Sequence, residues 1–302
     1  MSTVQRAAVL GTGTMGQGIA QVLAASGRTV GLYDNQPERA KNAISSIESG
    51  LARQVAKGKL DEASARALVA RIEPASSIAD AVRNSEWVIE AVPEQLDLKL
   101  AVLREALAAA PNATFGTNTS SLSVTELGAG LARDAGADVA ARTIGLHFFN
   151  PPPVMELVEI VRGVRTSEET VQSALDLVAS LGKTPIVVRD VAGFATSRLG
   201  VLLGAEAMRM LESGVASARD IDRAMELGYR HPMGPLKLTD LVGLDVRLAI
   251  LEHLQREIGD QFRPPTILRQ MVRAGKLGKK SGEGFYVWED GVAREPAQSP
   301  AR

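Results

Sequence analysis

The chain has 302 residues, of which 45% are hydrophobic, and its net charge is −1. This length predicts about two globular domains, and the balanced charge argues against a nucleic-acid partner. The absence of cysteine excludes disulfides, thiol nucleophiles and cysteine-ligated metals.

We predict no metal site, because His147, His231 and His253 lie far apart in the sequence and show no ligand spacing. The first residues, M-S-T-V-Q-R, lack the basic and apolar regions of a signal peptide. No apolar stretch reaches the ~20 residues that span a bilayer. We therefore expect a cytoplasmic protein with no membrane partner.

The first half of the chain alternates short apolar runs with helical patterns. This alternation predicts an α/β domain, a Rossmann-type doubly wound parallel sheet with helices on its faces. The predicted strands are 7–11, 29–34, 87–92, 114–117, 142–148, 155–161 and 184–188. The predicted helices are 17–26, 37–56, 61–70, 96–110, 124–131 and 168–181.

The stretch 37–70 is rich in Ala, Lys, Arg and Glu and predicts two long helices. A plain mononucleotide-binding half would place a strand there sooner, so we interpret the pair as a helical arm projecting from the sheet. A solvated helix pair would show the same pattern.

We place the first domain at residues 1–189. From residue 192 onward helical patterns follow one another and strand signals nearly vanish. Residues 190–288 are therefore predicted to form an all-α C-terminal domain, and residues 289–302 a mobile tail. Gly200, Gly204 and Ala205 lie on one apolar helix and favour close packing, either internal or between subunits.

A glycine-rich turn, G-T-G-T-M-G, follows the first predicted strand and precedes a helix. Gly11 permits the tight turn, Gly13 lets the backbone approach a pyrophosphate, and Gly16 lets helix and strand pack closely. The pyrophosphate of a dinucleotide would lie on the helix N-terminus, where Thr14 and Met15 follow. We assign these residues to cofactor binding.

Asp34 closes the second predicted strand, 18 residues after Gly16. An acid about 20 residues after the glycines holds the adenosine ribose of a dinucleotide. Because a carboxylate repels a 2′-phosphate and Asn35 rather than an arginine follows, we expect NAD rather than NADP. Arg39 is the nearest cation that could alter this preference.

His147 ends a predicted strand, where ligands of open α/β sheets bind. A neutral imidazole there could accept the proton of a substrate hydroxyl, although such a histidine could also be an ordinary core residue. Glu156 and Glu159 could each orient it; three apart on a strand, they face opposite ways, and the pattern does not choose between them.

The segment N-T-S-S-L at 118–122 offers Ser120 and a second serine, either to cap a helix or to hold a substrate oxygen.

Several segments together resemble the L-3-hydroxyacyl-CoA dehydrogenase family, over about residues 7–288. The length is similar to the stand-alone bacterial 3-hydroxybutyryl-CoA type. The segments, in chain order, are G-T-G-T-M-G-Q-G-I-A, E-A-V-P-E, N-T-S-S-L, G-L-H-F-F-N-P-P-P-V-M-E-L-V-E, H-P-M-G-P and G-K-K-S-G-E-G-F-Y.

The resemblance implies specific roles around the substrate. His147 would be the general base and Glu159 its partner. Ser120 and Asn150 would surround the substrate 3-oxygen and the nicotinamide. The helical arm would cover CoA, which makes Lys57 a candidate phosphate contact.

The resemblance also implies four cofactor contacts beyond the glycine turn. Glu94 and Lys99 would lie beside the cofactor ribose and nicotinamide. Asn118 would lie in the cofactor site, and Lys280 would close over the cofactor side.

The chain departs from this family at one position. The family usually has G-F-x-x-N-R at the start of its helical domain, whereas this chain has G-F-A-T-S-R, with Ser197 at the Asn position. An amide offers both a donor and an acceptor, and a serine only a shorter hydroxyl. This departure bears on the substrate and not on the fold.

We therefore expect an NAD-dependent enzyme that oxidises L-3-hydroxyacyl-CoA, acts as a homodimer through its helical domain and needs no metal. A dehydrogenase of a free hydroxy acid, of the gulonate or carnitine type, is the second hypothesis. A non-catalytic protein that keeps the cofactor fold is the third.

Overall fold

The computed structural model describes residues 5–295. The chain folds into two compact units, the first ending at Phe194 and the second beginning at Ala195. Within the described range, every helix is too short or too polar to cross a membrane.

Eight strands form the sheet of the first unit: β1 Arg6–Leu10, β2 Thr29–Tyr33, β3 Ile72–Pro74, β4 Trp87–Glu90, β5 Thr114–Thr117, β6 Thr143–Phe148, β7 Leu157–Arg162 and β8 Thr184–Arg189. Their order is β3-β2-β1-β4-β5-β6-β7-β8. The order reverses between β1 and β4, which opens a crevice at the carboxyl ends of these two strands. The predicted Rossmann-type doubly wound sheet is confirmed.

The helices of this unit are α1 Thr14–Ala25, α2 Pro37–Ala56, α3 Glu62–Val69, α4 Ile78–Val82, α5 Leu96–Ala109, α6 Val124–Ala135, α7 Ala137–Ala141 and α8 Glu168–Ser180. They cover both faces of the sheet, because alternate residues of a strand point to opposite faces. In β1, Val9 packs in one apolar cluster with α1 and α8, whereas Leu10 packs in another with α4, α5 and α6.

The helical arm consists of α2 and α3, and α2 has the bounds that the sequence predicts. The apolar face of α2 packs against the rest of the unit, since Ile47 and Leu51 are buried in the same cluster as Val9. The helices are joined by a turn in which Asp61 caps α3 by accepting a hydrogen bond from Ser64 N. The arm is therefore packed onto the unit along one face, with the opposite face exposed.

Two features of the sheet were not predicted. Strand β3 has only three residues and ends in Pro74, so it gives almost no strand signal. Strands β6 and β7 are antiparallel, unlike all other neighbours in the described sheet. The segment 149–156 between them is too short for a parallel connection, which needs roughly a dozen residues or more.

The second unit contains five α-helices within the described residues: α9 Thr196–Glu212, α10 Ala218–Arg223, α11 Pro235–Val242, α12 Leu244–Glu257 and α13 Thr266–Arg273. Shorter helical turns follow α10, α12 and α13. Gly204 and Ala205 are buried, and a Cβ on Gly204 would lie 3.3 Å from Thr239 Oγ1. These two residues therefore serve packing within the unit, whereas a Cβ on Gly200 would meet nothing that the structure describes.

The predicted helical second domain is confirmed, and residues 287–294 add two short strands that were not predicted. Strands β9 Val287–Glu289 and β10 Val292–Arg294 form an antiparallel hairpin. Asp290 and Gly291 connect them with φ of 50° and 80°, as a two-residue hairpin turn requires. The part of the predicted tail at 296–302 lies outside the described residues.

Two buried aspartates hold the second unit together. Asp240 accepts hydrogen bonds from the backbone N–H of Phe285 and from the Trp288 indole, and Asp222 accepts one from the Tyr286 hydroxyl. Burial raises the pKa of both carboxyl groups, although these hydrogen bonds oppose the shift. A Cβ on Gly284 would lie 2.2 Å from Asp240 Oδ1, so the G-E-G-F-Y segment has a structural role.

We expect Gly16→Ala to destabilise the first unit by about 2–3 kcal/mol. A Cβ at Gly16 would lie 1.9 Å from the carbonyl oxygen of Gly11, which is backbone and cannot rotate away. Gly13→Ala is the matched control, since a Cβ there meets no described atom within 4 Å and its φ is −62°. Urea unfolding of both variants measures the difference, and equal stability of the two would contradict this account.

Candidate active site

The glycine turn forms the floor of a cavity of about 430 Å³. Gly11 has a φ of +106°, and a Cβ there would lie 2.6 Å from Ala91 O. Gly13, Thr14 and Met15 line the cavity, while Gly16 packs behind the turn against Gly11. Gly11 and Gly16 are thus required by close backbone contacts, whereas Gly13 borders open space.

The turn fits the pyrophosphate of a dinucleotide. Helix α1 begins without a side-chain cap and without an acid in its first turn, so its first N–H groups remain available to an anion. The open space above Gly13 leaves room for a close approach.

Asp34 lines the same cavity and is held by the turn itself. Its Oδ2 accepts hydrogen bonds from Thr12 N at 3.1 Å and from Thr12 Oγ1 at 2.6 Å. Arg39 lies 3.8 Å from Oδ1, and its side chain is largely exposed. The carboxylate is thus fixed beside the turn, where an adenosine ribose of a bound dinucleotide would need it.

A buried ion pair supports the opposite wall of the cavity. Lys99 Nζ donates to Glu90 Oε1 at 2.7 Å, and both side chains are almost completely buried. Glu90 also accepts from Val92 N and from Thr117 Oγ1. Burial raises the pKa of Glu90, although the charge of Lys99 opposes this. The network fixes the chain after β4, which contributes Val92 to the cavity.

Glu94 connects this ion pair to the N-T-S-S-L segment. Its Oε2 lies 3.2 Å from Lys99 Nζ, and its Oε1 accepts from Thr119 Oγ1 and from the backbone N–H groups of Ser120 and Ser121. Burial raises the pKa of Glu94, but the charge of Lys99 and these hydrogen bonds outweigh it and leave the pKa lowered.

The helix-capping interpretation of the two serines is wrong. Ser123 is the N-cap of α6, and its hydroxyl accepts from Glu126 N. The hydroxyls of Ser120 and Ser121 lie 3.4 and 3.0 Å from Glu94 Oε1. Ser120 is exposed, so its hydroxyl is accessible beside Glu94.

His147 lies on β6 directly opposite Glu159 on β7, in the antiparallel register. Nδ1 of His147 is 2.7 Å from Oε2 of Glu159, and Glu159 is fully buried. Glu156, the alternative acid, is exposed and precedes β7. The geometry therefore pairs Glu159 with the imidazole and fixes which edge of the ring it contacts.

Asn118 contacts the residue after His147, and Asn150 lies three residues beyond His147 in the sequence. Asn118 Oδ1 accepts a hydrogen bond at 2.9 Å from the backbone N–H of Phe148, the residue after His147. Asn118 thereby connects the end of β5 to the end of β6. Asn150 lies two residues after Phe148, the last residue of β6, and is exposed.

The remaining predicted residues lie elsewhere. Lys57 ends α2 and lines, together with Arg53, Lys59 and Lys183, a second cavity of the first unit of about 760 Å³. Lys280 belongs to the second unit and lies 2.5 Å from Asp245 Oδ1.

Ser197 is also in the second unit, in the first turn of α9. It is partly buried. Its position on a helix N-terminal turn agrees with the predicted start of the helical domain.

Sequence reasoning missed Glu90, Thr12 and Phe194. Glu90 opens the E-A-V-P-E segment, in which only Glu94 was assigned a role. Thr12 lies inside the glycine motif at a position that the motif leaves free. Phe194 lies in the G-F-A-T-S-R segment, in which only Ser197 was considered, and its contact with His147 depends on how the chain turns after β8.

The dinucleotide cavity and the buried His147–Glu159 pair, at one edge of a doubly wound sheet, define a nicotinamide-dependent oxidoreductase. Two family models match the chain: the NAD binding domain of 3-hydroxyacyl-CoA dehydrogenase over residues 6–191, and the C-terminal domain of the same enzymes over residues 193–288. The chain belongs to the 3-hydroxyacyl-CoA dehydrogenase family, and NAD is its cofactor, as predicted.

Individual relatives match over nearly the whole chain. A probable 3-hydroxybutyryl-CoA dehydrogenase of Bacillus subtilis is 40% identical, over 95% of this chain and 98% of that protein. The 3-hydroxybutyryl-CoA dehydrogenase of Bradyrhizobium diazoefficiens is 38% identical, over 94% and 96%. The crystal structure of (S)-3-hydroxybutyryl-CoA dehydrogenase from Ralstonia eutropha matches with a TM-score of 0.89 and 40% identity, over 95% of this chain and 100% of that one.

We expect Glu94→Gln to lower the free energy of unfolding by about 1–2 kcal/mol at neutral pH, because a neutral amide attracts Lys99 and the surrounding donors less. The side chain is one-third exposed, so the loss stays modest. Since folding lowers the pKa of Glu94, the wild-type advantage is complete above the ordinary glutamate pKa and disappears as the pH falls through the folded-state pKa.

Urea unfolding at neutral and acidic pH measures this difference. Glu38→Gln is the control, since the ion pair that Glu38 forms with Lys41 is exposed. A stability difference between wild type and Glu94→Gln that does not change with pH would show that the carboxylate charge is not what stabilises this wall.

Proposed function

We propose that the protein catalyses the reversible, NAD-dependent oxidation of L-3-hydroxyacyl-CoA to 3-ketoacyl-CoA. The observation that carries the proposal is the 2.7 Å contact between His147 Nδ1 and a fully buried Glu159 carboxylate. The family supports the substrate class, and the names of its relatives support a short acyl chain.

The pair can act as a general acid and base. A neutral His147 that carries its proton on Nδ1 donates a hydrogen bond to Glu159, which leaves the Nε2 lone pair free to accept the proton of the substrate 3-hydroxyl. The Glu159 carboxylate then stabilises the imidazolium that forms. In the reverse direction the same imidazolium returns its proton to the carbonyl oxygen.

When bound, NAD would supply the redox chemistry, namely a nicotinamide that can take a hydride from C3 as the 3-hydroxyl becomes a carbonyl. We assign Asp34 to the adenosine ribose, in line with its fixed position beside the glycine turn. Glu94, Lys99 and Asn118 are assigned to the nicotinamide side, because their network joins the cavity to the end of β6. Lys280 is proposed as a further cofactor contact.

Ser120 and Asn150 are proposed to hold the substrate 3-oxygen. Both are exposed and lie in segments that follow neighbouring strands, β5 and β6. Since the carboxyl ends of parallel strands share one edge of the sheet, these groups and His147 can address one small molecule.

The cavity beside the helical arm is proposed to hold the phosphates of CoA. Four cations line it, Arg53, Lys57, Lys59 and Lys183, and its described lining includes no acid. A site of this charge favours a polyanion over a small free acid.

A free hydroxy acid remains the alternative substrate because of Ser197. A homodimer and a cytoplasmic location also remain predictions. Exposed apolar residues of the second unit support the dimer: Leu199, Leu227 and Tyr229 are each at least 70% exposed, and such residues often mark an interface.

We expect His147→Gln to lower kcat for acetoacetyl-CoA reduction at least about 100-fold, because the general acid is lost. NADH binding, followed by nicotinamide fluorescence, should stay within a factor of about two. His253→Gln on α12 is the matched control. Activity near the wild-type level in His147→Gln would refute the mechanism, whereas NADH binding without turnover by the wild-type protein would favour the non-catalytic alternative.

We expect Lys57→Ala to raise the KM for acetoacetyl-CoA several-fold, with little change in kcat or in the KM for NADH, because a phosphate contact is lost. Lys41→Ala, on the same helix but outside the cavity, is the control. Wild-type activity on acetoacetyl-CoA should exceed that on free acetoacetate by orders of magnitude. Comparable activity on the free acid would support the alternative substrate class instead.

A further inference from the structure

Phe194 adopts a backbone conformation that side chains of its size rarely occupy. Its φ is +47°, and the preceding Gly193 has a φ of +77°. A bulky residue in the left-handed region is strained, and such strain persists only where the surroundings impose it. Gly193 could accept the conformation freely, so the residue that needs an explanation is Phe194.

The surroundings of the Phe194 ring supply that explanation. The residue is 4% exposed and forms a small apolar cluster with Val124, Val161 and the partly buried Val188. Its ring also lies against the imidazole of His147, with centroids 5.6 Å apart and planes tilted by 58°. Tilted rings at this separation attract each other. The strained turn after β8 thus directs an aromatic ring at the residue proposed as the general base.

Phe194 is one of three groups that confine the imidazole. Glu159 occupies the Nδ1 edge at 2.7 Å. The rings of Phe149 and Phe194 lie against the imidazole, with centroids at 4.7 and 5.6 Å. Only 8% of His147 is exposed. The ring therefore has little freedom to rotate, and water has little access to the hydrogen bond with Glu159.

We infer that Phe194 is a positioning residue for His147. Its ring keeps the imidazole turned onto Glu159 and excludes water from the Nδ1–Oε2 hydrogen bond, which strengthens that bond. Phe194 acts through His147, so the inference rests on the proposed function. Misorientation of a catalytic group affects the reaction itself more than ground-state binding, and the expected effect is on kcat.

Phe194→Leu removes the aromatic ring but keeps an apolar side chain that can fill the cluster. We expect kcat for acetoacetyl-CoA reduction to fall about tenfold, while the KM values for both substrates change less than twofold. Phe194→Tyr, which keeps the ring, should restore most of the activity. Phe115→Leu is the matched control, because Phe115 is fully buried but belongs to a different apolar cluster, the one formed with α4, α5 and α6.

The hydrogen bond itself gives a readout independent of turnover. A short imidazole–carboxylate hydrogen bond shielded from water gives a slowly exchanging proton signal at low field in NMR. The chain has only three histidines, so loss of the signal in His147→Gln assigns it. We expect the signal in wild type and in Phe115→Leu, and its loss or rapid exchange in Phe194→Leu.

Phe194→Gly separates the ring from the backbone strain, since glycine adopts a positive φ without cost. We expect it to lose kcat and the low-field signal as Phe194→Leu does. Wild-type kcat with an intact signal in Phe194→Leu would overturn the inference. If His147→Gln is inactive in the same assays, the proposed function still stands, whereas an active His147→Gln variant overturns the proposed function itself.

Discussion

The reversal of strand direction between β6 and β7 is the constraint on which the site depends. Because β7 runs back against β6, Glu159 lies directly opposite His147, and backbone hydrogen bonds of the sheet set their separation rather than a loop. A buried carboxylate is costly unless it is paired, so the imidazole satisfies Glu159 while Glu159 orients the imidazole. The short segment 149–156 enforces the reversal. The single antiparallel neighbour in the described sheet therefore creates the His147–Glu159 contact.

A second buried charge pair joins that edge of the sheet to the cofactor cavity. Glu90 holds Lys99, Lys99 lies against Glu94, and Glu94 fixes the N-T-S-S-L segment through several hydrogen bonds. Asn118, at the start of that segment, then binds the backbone next to His147. Loss of one partner of a buried pair leaves an unpaired charge and costs far more than the pair itself contributes. The cavity wall and the strand that carries His147 are thus parts of one connected framework.

The sequence predicted the features that depend on local signals and missed those that depend on long-range pairing. The glycine turn and helix α2 were predicted closely, since glycine spacing and helical periodicity are local. The direction of β7 was missed, because it follows from a connection length and not from the strand itself. Glu90 was missed, because an acid at a strand end becomes an ion-pair partner only when Lys99 folds beneath it. The hairpin at 287–294 is different: Asp290-Gly291 is a strong turn signal that was available and overlooked.

The segments that make the second unit recognisable have structural roles. Gly284 and Gly234 leave room for the buried carboxylates of Asp240 and Asp222, which a Cβ at either glycine would meet at 2.2 and 2.1 Å. These carboxylates take up the backbone N–H groups and ring donors of the surrounding turns. The glycines of these segments are therefore required by the buried carboxylates of the second unit itself.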